Sequence, residues 1–241
     1  SVRPFDPAEA EVLPEDWLAA APGKRLTSVL IRVEPMPATD EDLLRRLDEW
    51  FVPESLAVSR VVDGAAVVAG DFRIDPAGHM RFAVFVAPGT GPRRVGRIVQ
   101  RLCEIETYRA MSMLGLMRSR DLSARLNALD PKLAALVSGL DNAEPAPEVA
   151  LHNLLTISAE LESLAVQFSF RFGATAAYEA IVNQRIEVLR EQRIEGRQTF
   201  AEFMMRRYDP AMRTVKSSET RLAGMAERAE RAAELLRTRV D

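Results

Sequence analysis

At 241 residues, with 47% hydrophobic and 28% charged side chains, the chain has the composition of a globular protein long enough to bury a real core. A formal net charge of −3 gives no reason to expect nucleic acid. A lone cysteine, Cys103, excludes an internal disulfide, and two histidines, His79 and His152, without a cysteine cluster leave no credible zinc site.

No run approaches the ~18–20 apolar residues of a membrane span, and there is no signal peptide. The charge is uneven: residues 1–92 carry 9 basic and 15 acidic side chains, residues 93–241 carry 23 and 20. The chain opens at Ser1 and closes on LLRTRVD with helical spacing still running, so the sequence is expected to be part of a longer protein.

Residues 1–24 are Pro-rich and acidic, with a short helix expected near Trp17 and Leu18. The β-branched stretch 26–33 predicts a strand, ended by Pro35 and Pro37. Thr39 can cap a helix whose first turn, Asp40-Glu41-Asp42, suits the positive end of the dipole. Leu43, Leu44, Leu47, Trp50 and Phe51 give it a buried side. Strands follow over 56–62, 65–74 and 79–86, joined by the hairpin signal Asp63-Gly64 and the turn Asp75-Pro76-Ala77-Gly78. In the last of them Met80, Phe82, Val84 and Val86 alternate with Arg81 and Phe85. The expected head is a small α+β sandwich with helices on one face.

A helix over 92–116 closes that head. Thr90 or Gly91 can cap it and Pro92 suits its first turn. Val95, Ile98, Val99, Leu102, Ile105 and Met113 recur at helical steps, with Glu106 and Arg109 inside their stripe. Arg94, Arg97, Arg101 and Glu104 fall on the other side. A carboxylate and a guanidinium three apart on a buried face are either a structural ion pair or the polar patch of a ligand pocket.

Beyond it come a helix over 121–137 weakened by Asp130-Pro131, a linker over 139–147 and long helices from 148 onward. Leu151, Leu154, Ser158, Leu161, Ala165, Phe168 and Phe172 give a coiled-coil-like seam that Gly173 is expected to break. Ala177, Ile181, Gln184 and Val188 mark a second helix ending near Gly196. A third, from Phe200, restarts at Asp209-Pro210. From there Val215, Leu222, Ala229 and Leu236 stand seven apart. The domain reading is an α+β head over 1–138, a linker over 139–147 and a stalk or bundle of long antiparallel helices over 148–241.

No stretch is a catalytic signature. Gly89-Thr90-Gly91-Pro92-Arg93-Arg94 lacks both the Walker and the dinucleotide pattern, which leaves Arg93 and Arg94 as anion-site candidates at a helix start. His79 and His152 have the setting of surface residues, and nothing beside Cys103 in sequence would activate a thiolate. Arg190, Arg193, Arg197, Arg206 and Arg207 interleave with Glu187, Glu191, Glu195 and Glu202, as on a solvated helix face.

Pro92-Arg93-Arg94, Gly96-Arg97, Val99-Gln100-Arg101-Leu102 and Glu104-Ile105-Glu106-Thr107-Tyr108-Arg109 resemble a proteobacterial family of predicted membrane-anchored proteins, a domain of unknown function. Arg171-Phe172-Gly173-Ala174-Thr175 with Ala177-Tyr178, Pro210-Ala211-Met212-Arg213-Thr214, and Leu236-Arg237-Thr238-Arg239-Val240-Asp241 are similar to the same family in the same order. The resemblance spans most of residues 5–241. It implies a membrane attachment through segments beyond residue 241 and brings no activity with it; the single cysteine favours the cytoplasmic side of a bacterial inner membrane.

The function expected is therefore a non-enzymatic, membrane-tethered scaffold or a binding and sensing module. It would form a homo-oligomer or bind a protein partner through residues 148–241, without a cofactor or nucleic acid. Two alternatives stand beside it: a cytoplasmic regulatory domain of a CorA-like ion transport protein, touching its ion through residues 40–42 or Arg93 and Arg94, and an enzyme with a pocket around Glu106 and Arg109.

Overall fold

The computed structural model describes residues 14–76, 78–139, 146–194 and 196–240. Most of the expected linker, Glu195 and residues 1–13 and 241 lie outside them. The elements run α1 (Glu15–Ala20), β1 (Val29–Pro35), α2 (Asp40–Trp50), β2 (Ala57–Val61), β3 (Ala66–Ile74), β4 (Met80–Val86), α3 (Pro92–Gly139), α4 (Pro147–Glu187), β5 (Gln192–Arg193), α5 (Phe200–Arg207) and α6 (Asp209–Val240). The class is α+β, with a five-stranded mixed sheet. Two compact units share the long helices. One is Ser1–Met111 with Tyr178–Asp209, and the other is Ser112–Ala177 with Pro210–Asp241. These divisions fall elsewhere than 1–138, 139–147 and 148–241, because α3 and α4 each supply residues to both units.

In the sheet unit the strand order is β1-β4-β3-β2-β5. β2, β3 and β4 form the antiparallel meander, while β1 pairs with β4 in parallel after the chain crosses over through α2. Thr39 caps α2 by accepting the Asp42 N–H at 3.1 Å. Leu43 and Leu47 then bury against Val58, Val67, Ala69, Ala83 and Phe85. Phe82 lies on the other face of β4, within ring contact of Phe200 in α5. Helices thus cover both faces rather than one. The reason is visible in β4, where Met80, Phe82, Ala83, Val84 and Phe85 are all buried and the alternation read from the sequence does not separate a wet side from a dry one. The Phe82 ring also needs Gly70 beside it, since a Cβ there would come within 2.4 Å of the ring.

In the helical unit, α3 contributes Leu122, Leu126, Leu129 and Leu133 to the core, and α4 contributes Leu154, Ile157, Leu161, Leu164 and Phe168. α6 adds Val215, Ser218, Leu222, Met225, Ala229, Ala232 and Leu236 at three- and four-residue steps. Leu151, Ser158 and Ala165, expected in the seam, are only half-buried, because the buried stripe of α4 lies to one side of them. The helix expected to stop at 116 runs on through residues 117–120 and past Pro131 to Gly139, and Gly173 does not break α4. A glycine costs a helix only about 1 kcal/mol, less than the burial of Phe168 and Phe172 just before it returns. Asp130 lies beside Arg221 and Arg228 of α6, whose guanidiniums hold its carboxyl below the usual range.

α3 and α4 approach closely at Gly115, where an added Cβ would sit 2.1 Å from Thr175 Oγ1. Gly115→Ala is expected to force the helices apart and cost about 1–3 kcal/mol, read as a lowered midpoint in chemical denaturation. A midpoint unchanged from that of the parent chain would show that the two helices do not meet there.

Candidate functional site

The expected polar feature of α3 is a closed network. Arg109 donates Nε to Glu106 Oε2 at 2.8 Å and Nη2 to Oε1 at 2.9 Å, while Thr27, just before β1, donates its hydroxyl to Oε1 at 2.8 Å. Glu106 is 1% exposed. Both carboxylate oxygens are engaged, so the pair ties α3 to the start of β1.

One turn earlier, on the side of α3 away from that network, an open cavity of about 840 Å³ lies in the sheet unit. Arg94, Arg97 and Arg101 line it from α3, with Ile98 at its base. Gln184 and Glu187 line it from the last turns of α4, followed by Val188 and Arg190, and Val62 completes it from the β2–β3 turn. Four guanidiniums face one lining carboxylate, Glu187. Arg94 and Arg97 form no ion pair with any described residue, whereas Arg190 reaches Asp63 at 2.7 Å and Arg101 donates to the Val188 carbonyl at 3.1 Å. Burial first, and then the guanidiniums of Arg97, Arg185 and Arg190, push the pKa of Arg101 down. The larger part is the cost of desolvating the cation, to which the neighbouring guanidiniums add.

The backbone is strained at the same place. Four non-glycine residues among those described have positive φ; Val62 (53°) and Arg190 (50°) line this cavity, and Asp63 (57°), next to Val62, ion-pairs Arg190. A β-branched residue such as Val62 is rarely found there, and each such position costs on the order of 1–3 kcal/mol. The Val62 N–H donates to the Leu189 carbonyl at 2.8 Å, so the turn and the end of α4 hold each other in that conformation. Strain kept at a charged cavity marks a site better than either feature alone.

The other expected site residues lie apart. Arg93 does not line the cavity, although its neighbour Arg94 does. Asp40 is taken by Arg60, 2.5 Å away, and Asp42 by Arg45 and Thr39. His79 Nδ1 lies 2.6 Å from Ser28 Oγ, and His152 is on the surface of α4. Partial desolvation and the neighbouring Glu104 carboxylate raise the Cys103 pKa, which disfavours a thiolate. Among the described residues no group of three His, Cys, Asp or Glu side chains could hold a metal ion.

Sequence reasoning set Arg97 and Arg101 on an outward face and Arg190 on a solvated helix. The helix stops at Glu187, the chain turns at Arg190, and residues 192–193 pair with β2. Arg193 then pairs with Glu202 and Arg197 with Asp48, so these arginines do not share one helix face. The available signal was the spacing Arg94, Arg97, Arg101 with no acid before Glu104.

The family model described as a protein of unknown function, DUF3422, matches residues 1–241. The chain belongs to that family. No curated protein matches this DUF3422 chain, and no solved structure does. Among its described residues no helix is long and apolar enough to cross a membrane.

Proposed function

We propose that this DUF3422 chain is a non-enzymatic binding and sensing module, and that the arginine-lined cavity receives an anionic ligand. The observation that carries the reading is the convergence of Arg94, Arg97, Arg101 and Arg190 on one cavity with a single lining carboxylate. An anion there would relieve the repulsion among the guanidiniums and gain charge-assisted, fork-shaped hydrogen bonds. The membrane-tethered setting implied by the family resemblance, on the cytoplasmic side of a bacterial inner membrane, belongs to the same proposal, with the tether outside the helices described. Of the alternatives, an ion-responsive regulatory domain shares this chemistry. An enzyme built on Glu106 and Arg109 has less support, because Arg109 and Thr27 occupy the carboxylate.

Thermal unfolding with inorganic phosphate and with sulfate at constant ionic strength tests the reading. A ligand at about a hundred times its Kd stabilises the folded state by about 2.7 kcal/mol, so the melting temperature is expected to rise. The rise should vanish in Arg97→Ala, whose side chain is exposed and pairs with no acid among the described residues. No rise with any anion, or an equal rise in the variant, would refute the site.

A second reading, assembly of two copies through residues 148–241, is supported by Val166 and Phe170, one turn apart on α4 and 70% and 82% exposed. Light scattering on the intact chain is expected to give a dimer that Phe170→Glu converts to monomer. A monomeric parent chain would remove this reading and leave the first untouched.

A further inference from the structure

Resting on the anion-site reading, we infer that the ligand carries a linear chain of two or more phosphates rather than a single phosphate group. The warrant is the stagger of the arginines. α3 rises about 1.5 Å per residue, so the backbones of Arg94, Arg97 and Arg101 stand about 4.5 and 6 Å apart along its axis, a run of about 10.5 Å. At about 100° per residue they keep within a sector of roughly 60°, so the three side chains leave α3 in one row along its axis. A lone tetrahedral oxyanion can be gripped by two neighbouring forks and leaves the third unused. A phosphate chain laid along the row offers oxygens to all three, and Arg190 reaches it from beyond the end of α4.

Arg190 is already paired with Asp63, so Arg94, Arg97 and Arg101 against Glu187 place the excess positive charge along the row on α3. Gln184 and Glu187 stand one turn apart on the opposing helix, offering an amide and a carboxylate to hydroxyl groups on whatever the phosphates are attached to.

Titration calorimetry on the whole chain, at constant ionic strength, would compare inorganic phosphate, pyrophosphate, tripolyphosphate and ATP. Pyrophosphate and tripolyphosphate are expected to bind at least tenfold more tightly than phosphate. Arg94→Gln and Arg101→Gln should each weaken tripolyphosphate about tenfold, the size of one lost charged hydrogen bond. Melting temperatures of the two variants, unchanged without ligand, would show that they fold. ATP binding more tightly than tripolyphosphate would identify the source as a nucleotide, and equal or weaker binding as an inorganic chain; both support the inference. Phosphate binding as tightly as the chains would overturn it while sparing the anion site. Binding of none of the four would overturn both. Chain binding that survives in the folded variants would place the ligand elsewhere and overturn the inference.

Discussion

Arg109→Met is expected to lower the unfolding free energy by about 3–5 kcal/mol, because it leaves a buried carboxylate without its counter-charge. Glu106 is 1% exposed, and its bidentate contact with Arg109 supplies two of its three side-chain hydrogen bonds described above. Only the Thr27 hydroxyl would remain, and a neutral donor does not offset an isolated buried charge. Adding Glu106→Leu to Arg109→Met should recover most of the loss, since a buried ion pair often gives way to an apolar pair at little cost. Urea unfolding of the parent, single and double variants measures both steps. A single variant within about 1 kcal/mol of the parent would mean that water reaches Glu106, as at an exposed ion pair.

Phe200→Ala should cost about 3–5 kcal/mol, the range for removing a buried phenylalanine. Phe200 is fully buried at the start of α5, where its ring meets Phe82 at 5.9 Å and Phe72 at 5.2 Å between centroids. The residue is the anchor that returns the last segment of the sheet unit to β3 and β4. Glu191 assists by accepting the Phe200 and Ala201 N–H groups and the Ser59 hydroxyl. The companion Phe203→Ala should cost less, because Phe203 is only half-buried and stacks on Phe72 alone. Equal costs at the two positions would show that the core does not centre on Phe200. The measurement is again the unfolding midpoint in urea, at equal slope.

Much of the fold was legible because its causes are local. The strand stretches over 56–62 and 65–74, the Asp63-Gly64 turn and the Thr39 cap each depend on a few neighbouring residues, and each lies within a residue or two of its structural counterpart. Helical periodicity also placed Ile98, Leu102 and Ile105 on the buried side of α3 and Val215, Leu222, Ala229 and Leu236 on that of α6. What misled was local too. The sequence predicts a break after residue 116 and another at Gly173, and burial along each helix outweighs both. β4 alternates in sequence, yet Ala83 and Phe85 are as deeply buried as Phe82 and Val84, because a second helix covers the other face.

The candidate site was least legible. Arg94 was singled out with Arg93 for its place at a helix start, but the partner that matters, Arg190, is almost a hundred residues further along. Composition, periodicity and turn chemistry carry the strands, the helices and the α+β class, because hydrophobic period and backbone preference act over a few residues. Where α3 and α4 run uninterrupted, which faces of the sheet are covered, and that four arginines share one cavity are matters of tertiary packing. Burial and electrostatics act through space, and no short stretch of chain records which distant charge will stand opposite.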